Sequence, residues 1–205
     1  MAITTTDTAL LRLLQISSAA LPVGGYAFSQ GMETAVEEGW LPDAAATADW
    51  LSLQLQLGHA RVDLPLLARS LEAAVAGDAR ALAAWNTYTL ACRETAELRL
   101  ADTAMGEALL RLLRHLEVPL VLDAGEVTFV AGFAMASAHY GLEPRVALLG
   151  YSWAWLENQV AAATKLVPLG QSAAQALLSE LAPAGGDISL SRTVPLPGCG
   201  LLQLQ

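Results

Sequence analysis

Apolar residues recur at three- and four-residue spacing along most of this chain, and the alternation typical of a half-buried strand is scarce. Trp50, Leu53 and Leu57 show the spacing, which places successive apolar side chains on one face of an α-helix. Proline and glycine interrupt the pattern at intervals and divide it into segments of helical length. We therefore expect an all-α fold, a single-domain bundle of about eight to ten helices.

The expected helical domain covers residues 1–182, because no repeat or linker divides this range. Residues 183–205 are dominated by proline, glycine and serine, and we interpret them as a flexible C-terminal tail. The last helix should therefore span roughly residues 171–181.

Several helix starts can be predicted from local chemistry. Asp43 and Asp78 are good N-caps, Ser29 can cap the second helix, and Pro144 suits the first turn of a later helix. These positions predict where individual helices begin, but they do not predict which helices pack together.

The composition indicates a chain with more apolar surface than a monomer can bury. Hydrophobic residues make up 54% of the chain and charged residues only 15%, although alanine inflates the apolar share. Contiguous exposed apolar patches usually mark partner-binding surfaces, so we expect a homodimer or a complex. An alanine-rich bundle with an ordinary surface is the alternative.

The charge balance excludes some classes of partner. The formal net charge is −9, and no cluster of basic residues could neutralise the phosphates of nucleic acid or an anionic membrane. The N-terminus lacks the order of a signal peptide, and no apolar stretch reaches the ~20 residues needed to span a bilayer. We expect a cytoplasmic protein that binds neither nucleic acid nor membranes.

No catalytic or metal-binding motif is present in the sequence. The glycines near Tyr26 lack the lysine and hydroxyl residue of a phosphate-binding loop, and the three histidines stand apart from one another and from other clear ligands. We therefore expect no cofactor, at most transient contact with a metal, and no enzymatic activity. The alternative is a small-molecule enzyme whose pocket gathers Glu33, Lys165 and Glu97.

Lys165 is the only lysine of the chain and follows a run of alanines. It is either a helix-end lysine that meets the terminal carbonyl groups or a partly buried lysine paired with a carboxylate. Glu33, beside the glycine-rich segment, is the candidate partner for the second interpretation.

The segment 93–99 concentrates charge in an otherwise apolar chain. Arg93 and Glu97 are four residues apart, so one helix face could hold an ion pair between them. Such a face is either simply solvated or, since arginine is enriched at interface hot spots, part of an interface.

Five groups of motifs, in order along residues 10–180, resemble the UreF family of urease accessory proteins. They are Leu21-Pro22-Val23-Gly24-Gly25-Tyr26-Ala27-Phe28-Ser29-Gln30-Gly31-Met32-Glu33 with Glu38-Gly39-Trp40, Asp63-Leu64-Pro65-Leu66, Cys92-Arg93-Glu94-Thr95 with Glu97-Leu98-Arg99, Gly150-Tyr151-Ser152-Trp153, and Lys165-Leu166-Val167-Pro168-Leu169-Gly170-Gln171.

The resemblance implies an all-helical dimer that binds the accessory protein UreD and recruits the GTPase UreG to urease apoprotein for nickel delivery. It also implies roles for particular residues. Glu33 and Lys165 match positions associated with the UreG-facing surface, and the segment 26–31, with Tyr26, Ser29, Gln30 and Gly31, matches the connector for dimer and partner contacts. The remaining partner-binding candidates lie in the matching segments: Arg93, Glu97, Arg99 and Gln171.

Two further expectations follow from the resemblance. The chain could act as a GTPase-activating protein for UreG, with Arg93 or Arg99 as the arginine finger. Its end, residues 191–205, lacks the His-Glu pair and the Arg-Leu-Phe type tail of the family, which calls tail-mediated docking into question.

Overall fold

The computed structural model describes residues 5–190, with side chains described as far as Pro183. Nine α-helices and no strand occur in this range, which confirms the all-α prediction. The helices are α1 (Asp7–Ile16), α2 (Met32–Glu37), α3 (Ala44–Leu53), α4 (Leu64–Ala76), α5 (Ala79–Ala91), α6 (Ala96–His115), α7 (Phe129–His139), α8 (Pro144–Leu166) and α9 (Gln171–Leu190). A short 3₁₀ turn, Gly25–Ala27, precedes α2.

Three predicted helix starts are confirmed. The side chains of Asp43 and Asp78 each accept the backbone N–H three residues further on, at 3.0 and 2.9 Å, and so satisfy a donor that the first helical turn leaves free. Pro144 occupies the first position of α8, where its missing N–H costs no hydrogen bond.

The prediction that Ser29 caps the second helix is wrong. The helix α2 begins at Met32, and its N-cap is Gly31 in a left-handed conformation with φ of 90°. Gln30 also has a positive φ, of 51°. The chain therefore turns once more after Ser29, so this serine lies too early to cap the helix.

The last helix is longer than the sequence predicts. It extends to Leu190 and includes Pro183, whereas the predicted tail starts at that proline. An interior proline removes one hydrogen bond and usually kinks or ends a helix, yet α9 continues past Pro183. The rest of the predicted tail, residues 191–205, lies outside the described residues.

A π-helical segment, Gln54–Asp63, joins α3 to α4 without a break. Most π-helices are single turns inserted in α-helices, and many of them lie at functional sites. This segment is ten residues long, and three of its side chains, Leu55, His59 and Asp63, are buried. The wider turn brings a histidine and an aspartate into the interior, between two helices whose buried residues are mostly apolar.

The core is organised around α7 and α8. Residues 129–137 of α7 are all buried, and this helix packs mainly against α4 and α6. Gly106 allows α6 to approach closely, because a Cβ atom at this position would lie 2.0 Å from the carbonyl oxygen of Val127.

The long helix α8 belongs to two apolar clusters. Its first half, with Ala147 and Tyr151, joins the cluster around α4 and α7, and its second half, with Leu156 and Ala163, joins α2, α3 and α9. No helix within residues 5–190 is long and apolar enough to cross a membrane.

Candidate functional site

We call residues 24–31, the predicted segment 26–31 together with the two glycines before it, the connector. Side chains of α8 hold it on the surface of that helix. Trp155 donates its indole N–H to Oε1 of Gln30 at 3.0 Å. Gln159, one turn further along, donates its side-chain N–H to the carbonyl oxygen of Phe28 at 3.1 Å. These two bonds hold the second half of the connector against the middle of α8.

Close packing also fixes the first half of the connector. A Cβ atom on Gly25 would lie 2.8 Å from the side-chain amide of Asn158, so a larger residue at this position would displace that side chain. Gly24 has a φ of 72°, which is in the left-handed region that favours glycine. The two glycines that sequence reasoning compared with a phosphate-binding loop are therefore explained by helix contact and turn geometry.

The end of the connector nearest the C-terminus of α8 forms an exposed cation–aromatic contact. The Lys165 ammonium lies 4.2 Å from the centroid of the Tyr26 ring and 3.5 Å from the Tyr26 carbonyl oxygen. Tyr26 is 48% exposed, and Lys165 is also exposed. We call this pair the Tyr26–Lys165 surface. Gln171, another predicted partner-binding residue, is exposed at the start of the next helix.

The predicted pairing of Lys165 with Glu33 is wrong. No ion pair joins them in the described part of the chain, Lys165 contacts Tyr26 instead, and both charged side chains are exposed. An exposed lysine retains its hydration and needs no buried carboxylate. The position at the end of α8 agrees with the other interpretation, a helix-end lysine, although the carbonyl group that it approaches belongs to the connector.

A buried ion-pair network lies beneath the other side of the connector. The Arg93 guanidinium donates from Nη1 to Asp63 at 2.7 Å and from Nε to Asp102 at 2.8 Å. The three side chains are only 15%, 13% and 8% exposed. The second oxygen of Asp102 accepts the N–H of Phe129 at 2.9 Å, so the network joins the π-helical segment, the α5–α6 link, α6 and the start of α7.

The network changes the pKa of each of its members. Burial alone would raise the pKa of Asp63, but the charge of Arg93 and the contact with His59 outweigh it and lower the pKa to about 2. For Asp102, burial outweighs the attraction of Arg93 and raises the pKa. Burial alone would lower the pKa of Arg93, but the attraction of the two carboxylates is stronger and raises the pKa above its usual value. The guanidinium is therefore charged.

His59 extends this network into an aromatic cluster. Its ring stacks on Tyr151 with centroids 5.3 Å apart and lies 5.2 Å from the ring of Trp155. Its Nε2 atom is 3.2 Å from the hydroxyl of Ser152, and its Nδ1 atom is 3.5 Å from Oδ2 of Asp63. His59 and Asp63 are not among the predicted site residues, although a histidine and an aspartate four residues apart lie near one face of a helix.

A cavity of about 400 Å³ opens above the network, and we call it the Arg93 cavity. Phe28 and Gln30 of the connector line the cavity, together with His59 and Arg93. Leu57 also lines it and is 52% exposed. The enzyme alternative places Glu33, Lys165 and Glu97 in a shared pocket, and that expectation is wrong. None of the three lines this cavity, because all three side chains are exposed elsewhere.

The predicted ion pair between Arg93 and Glu97 does not form either. Arg93 precedes the first turn of α6 and turns inward, whereas Glu97 is exposed in that turn. Hydrogen bonds from its own backbone N–H and from the Thr95 hydroxyl lower the pKa of Glu97. Arg99 pairs with Glu126 at the surface and is 48% exposed. Since Arg93 is bound to two carboxylates, Arg99 is the freer of the two arginine-finger candidates.

The structure therefore separates the predicted partner-binding residues into distinct places. Tyr26 and Lys165 meet at the end of α8, Gln30 and Arg93 line the cavity, and Arg99 lies at the surface of α6. Ser29 is buried, and Gly31 is exposed. Within the described residues, no group of three histidine, cysteine, aspartate or glutamate side chains is placed to hold a metal ion.

Fold and site together define an all-helical protein with an exposed cation–aromatic surface and a polar cavity over a buried ion-pair network. The UreF family model matches residues 41–182. The chain is 56% identical over 180 residues to the urease accessory protein UreF of Marinomonas sp. (strain MWYL1), covering 87% of this chain and 78% of that protein. It therefore belongs to the UreF family of urease accessory proteins.

Two further relatives have the same name. The urease accessory protein UreF of Chromohalobacter salexigens is 46% identical over 178 residues, covering 86% of this chain and 77% of that protein. The protein of the same name from Pseudomonas putida (strain W619) is 43% identical over 203 residues, covering 93% of this chain and 91% of that protein. The resemblance inferred from the motifs is confirmed.

Proposed function

We propose that this protein is a scaffold for assembly of the nickel centre of urease, which binds UreD and, through that complex, recruits the GTPase UreG to urease apoprotein. Nickel is the cargo of this process and not a resident cofactor of the chain. The proposal rests on membership of the UreF family and on one observation of the structure, the Tyr26–Lys165 surface.

The Tyr26–Lys165 surface has the properties of a recognition site. Two residues 139 positions apart in the sequence meet at the end of α8 with both side chains exposed. An exposed cation over an aromatic ring contributes only about 0.5–1 kcal/mol to stability, so the fold does not depend on this contact. Tyrosine is also enriched at interface hot spots. We assign UreG recruitment to this surface.

Exposed apolar residues support a larger assembly. Leu10, Leu11 and Leu14 on α1 are 47%, 67% and 60% exposed, and Trp40 near the end of α2 is 61% exposed. A row of exposed leucines on one helix is typical of a face covered by a partner or by a second copy of the chain. In the proposed assembly, UreD and a second copy of this chain cover these apolar faces.

Co-purification tests the proposal directly. Tagged full-length chain is expected to capture its cognate UreD, and UreD together with UreG. Replacing Lys165 with alanine should lower the yield of UreG by roughly tenfold while the helical circular dichroism and UreD capture stay unchanged. Replacing Lys165 with arginine keeps the charge over the ring and should retain most of the yield.

The matched control is Arg80→Ala, which removes an exposed positive charge from α5 and should leave UreG capture unchanged. Equal losses in both variants would show that only net charge matters and would remove the role assigned to the surface. Failure of the unaltered chain to capture UreD would refute the scaffold function itself.

A further inference from the structure

The Arg93 cavity is lined by a buried histidine that has one unpartnered ring nitrogen. His59 is 2% exposed, and its Nδ1 atom has no hydrogen-bond partner. The nearest polar group is Oδ2 of Asp63 at 3.5 Å, which is too long for a normal hydrogen bond. A buried polar atom without a partner is costly and requires an explanation, such as a bound water, ion or ligand group.

The chemistry of His59 and Asp63 selects the ligand. With the proton on Nδ1, His59 helps to lower the pKa of Asp63, whereas Nδ1 carries a lone pair and accepts when Nε2 donates to the hydroxyl of Ser152. Oδ2 of Asp63 is also an acceptor, because the other oxygen of that carboxylate is bonded to Arg93. Two adjacent acceptors are satisfied by one group that carries several N–H donors, such as a guanidinium or an ammonium.

Charge and ring chemistry in the cavity favour a cation. Three carboxylates line it, those of Asp63, Glu94 and Asp102, against the single guanidinium of Arg93. The aromatic ring of Trp155 provides a face of the kind that attracts cations. The cavity volume, about 400 Å³, is at the lower end of the range for ligand sites, ~300–1,000 Å³, and leaves room for one long side chain.

The mouth of the cavity indicates where the cation comes from. Leu57 lines the cavity and is 52% exposed, and Leu53, which lies outside the lining one turn earlier, is 56% exposed. Exposed apolar side chains beside a pocket are typical of a surface that a partner protein covers. The chain itself carries a net charge of −9 and so attracts a basic partner.

We propose that the Arg93 cavity is the receptor for an arginine or lysine side chain of a partner protein, held between Asp63, His59 and Glu94. The inference rests on the proposed function in one respect: the protein that supplies the side chain is a partner in the maturation complex. It assigns the cavity a role separate from that of the Tyr26–Lys165 surface.

Titration with blocked amino acids tests the chemistry of the cavity without any partner. Nα-acetyl-arginine methylamide should bind and shift the ¹⁵N resonances of the His59 ring, and the neutral citrulline analogue should bind at least about tenfold more weakly, a difference of 1.4 kcal/mol. The ring spectrum of the complex should show Nδ1 unprotonated. Equal binding of both probes, binding of neither, or a proton on Nδ1 in the complex would overturn the proposal.

Two variants locate the binding. Glu94→Gln should weaken binding of the arginine probe several-fold, whereas Glu72→Gln, on the exposed face of α4, should not change it. Gly58 lines the cavity, and a Cβ atom there would approach only Gln54, at 3.7 Å, so Gly58→Leu should fill the cavity without disturbing the backbone. Gly58→Leu should abolish probe binding and Gly58→Ala should not. Unchanged binding to the leucine variant would place the site elsewhere and refute the proposal.

Partner capture distinguishes a protein side chain from a free cation. Gly58→Leu should reduce capture of UreD or UreG relative to Gly58→Ala, with unchanged circular dichroism. If the leucine variant loses the probe but captures both partners normally, or if agmatine binds tenfold more tightly than the blocked arginine, a partner side chain is not the occupant. If the unaltered chain captures no partner, the scaffold function fails, and the probe titration still decides whether the cavity binds a cation.

Discussion

Removing the Arg93 guanidinium should destabilise the protein far more than removing an exposed arginine. Arg93→Met keeps an unbranched side chain of similar length but leaves the carboxylates of Asp63 and Asp102, 13% and 8% exposed, without their cation. Breaking a buried ion pair by removing one partner costs about 3–5 kcal/mol. For a domain of this size, each kcal/mol lowers Tm by about 2–4 °C, so a decrease on the order of 10 °C is expected.

Urea unfolding followed by circular dichroism measures this effect. The control is Arg69→Met, which removes an arginine of the exposed pair Arg69–Glu72, where the side chains are 48% and 65% exposed. Exposed pairs contribute about 0–1 kcal/mol, so this control should change little. A loss in Arg93→Met no larger than in Arg69→Met would refute the conclusion that the network stabilises the fold.

The same reasoning predicts a rescue. Adding Asp63→Asn and Asp102→Asn to Arg93→Met removes the two stranded charges, so the triple variant should be more stable than the single one at pH 7. Without their cation, the pKa of both carboxylates should rise in the folded state. The cost of Arg93→Met alone should therefore shrink as the pH falls from 7 towards 4.

Two further predictions concern single positions. Because the folded-state pKa of Asp63 is about 2, below its usual value of 3.8, this residue contributes roughly 2 kcal/mol above pH 4 that is lost as the pH falls towards 2. The stability difference between the unaltered chain and Asp63→Asn, from urea unfolding, should shrink over that interval, and a constant difference would contradict the assigned pKa. Gly106→Ala should destabilise by about 1–3 kcal/mol, because its Cβ would lie 2.0 Å from the Val127 carbonyl oxygen. In Gly58→Ala, the matched control, the added Cβ meets only Gln54, at 3.7 Å, and should stabilise the helix by up to about 1 kcal/mol. A similar loss in both variants would refute the close approach of α6 to the start of α7.

Local chemistry was sufficient to predict helix type and several helix boundaries. A cap acts within three residues, and an apolar face repeats within four, so Asp43, Asp78 and Pro144 could each be assigned from neighbouring residues. The connector was less predictable. Two successive residues with positive φ, Gln30 and Gly31, follow Ser29 and move the helix start, and only one of them is a glycine.

The candidate site could be predicted only in part, because its contacts join distant segments. Tyr26 and Lys165 were both identified from motifs, but nothing in their spacing indicated that they touch. The hypothesis that Lys165 pairs with Glu33 assumed that Lys165 is partly buried, but this residue is exposed at the end of α8.

By itself, the sequence determined the helical class, most of the helix positions and membership of a family, because these follow from short-range periodicity and from ordered motifs. Tertiary structure alone decided the charge pairing. Arg93 had a carboxylate four residues away in Glu97, yet it binds Asp63 and Asp102, thirty and nine residues away. The physical reason is desolvation: once packing buries a charge, it must find a partner within the interior, whereas a charge left in water gains little from its neighbour along the helix.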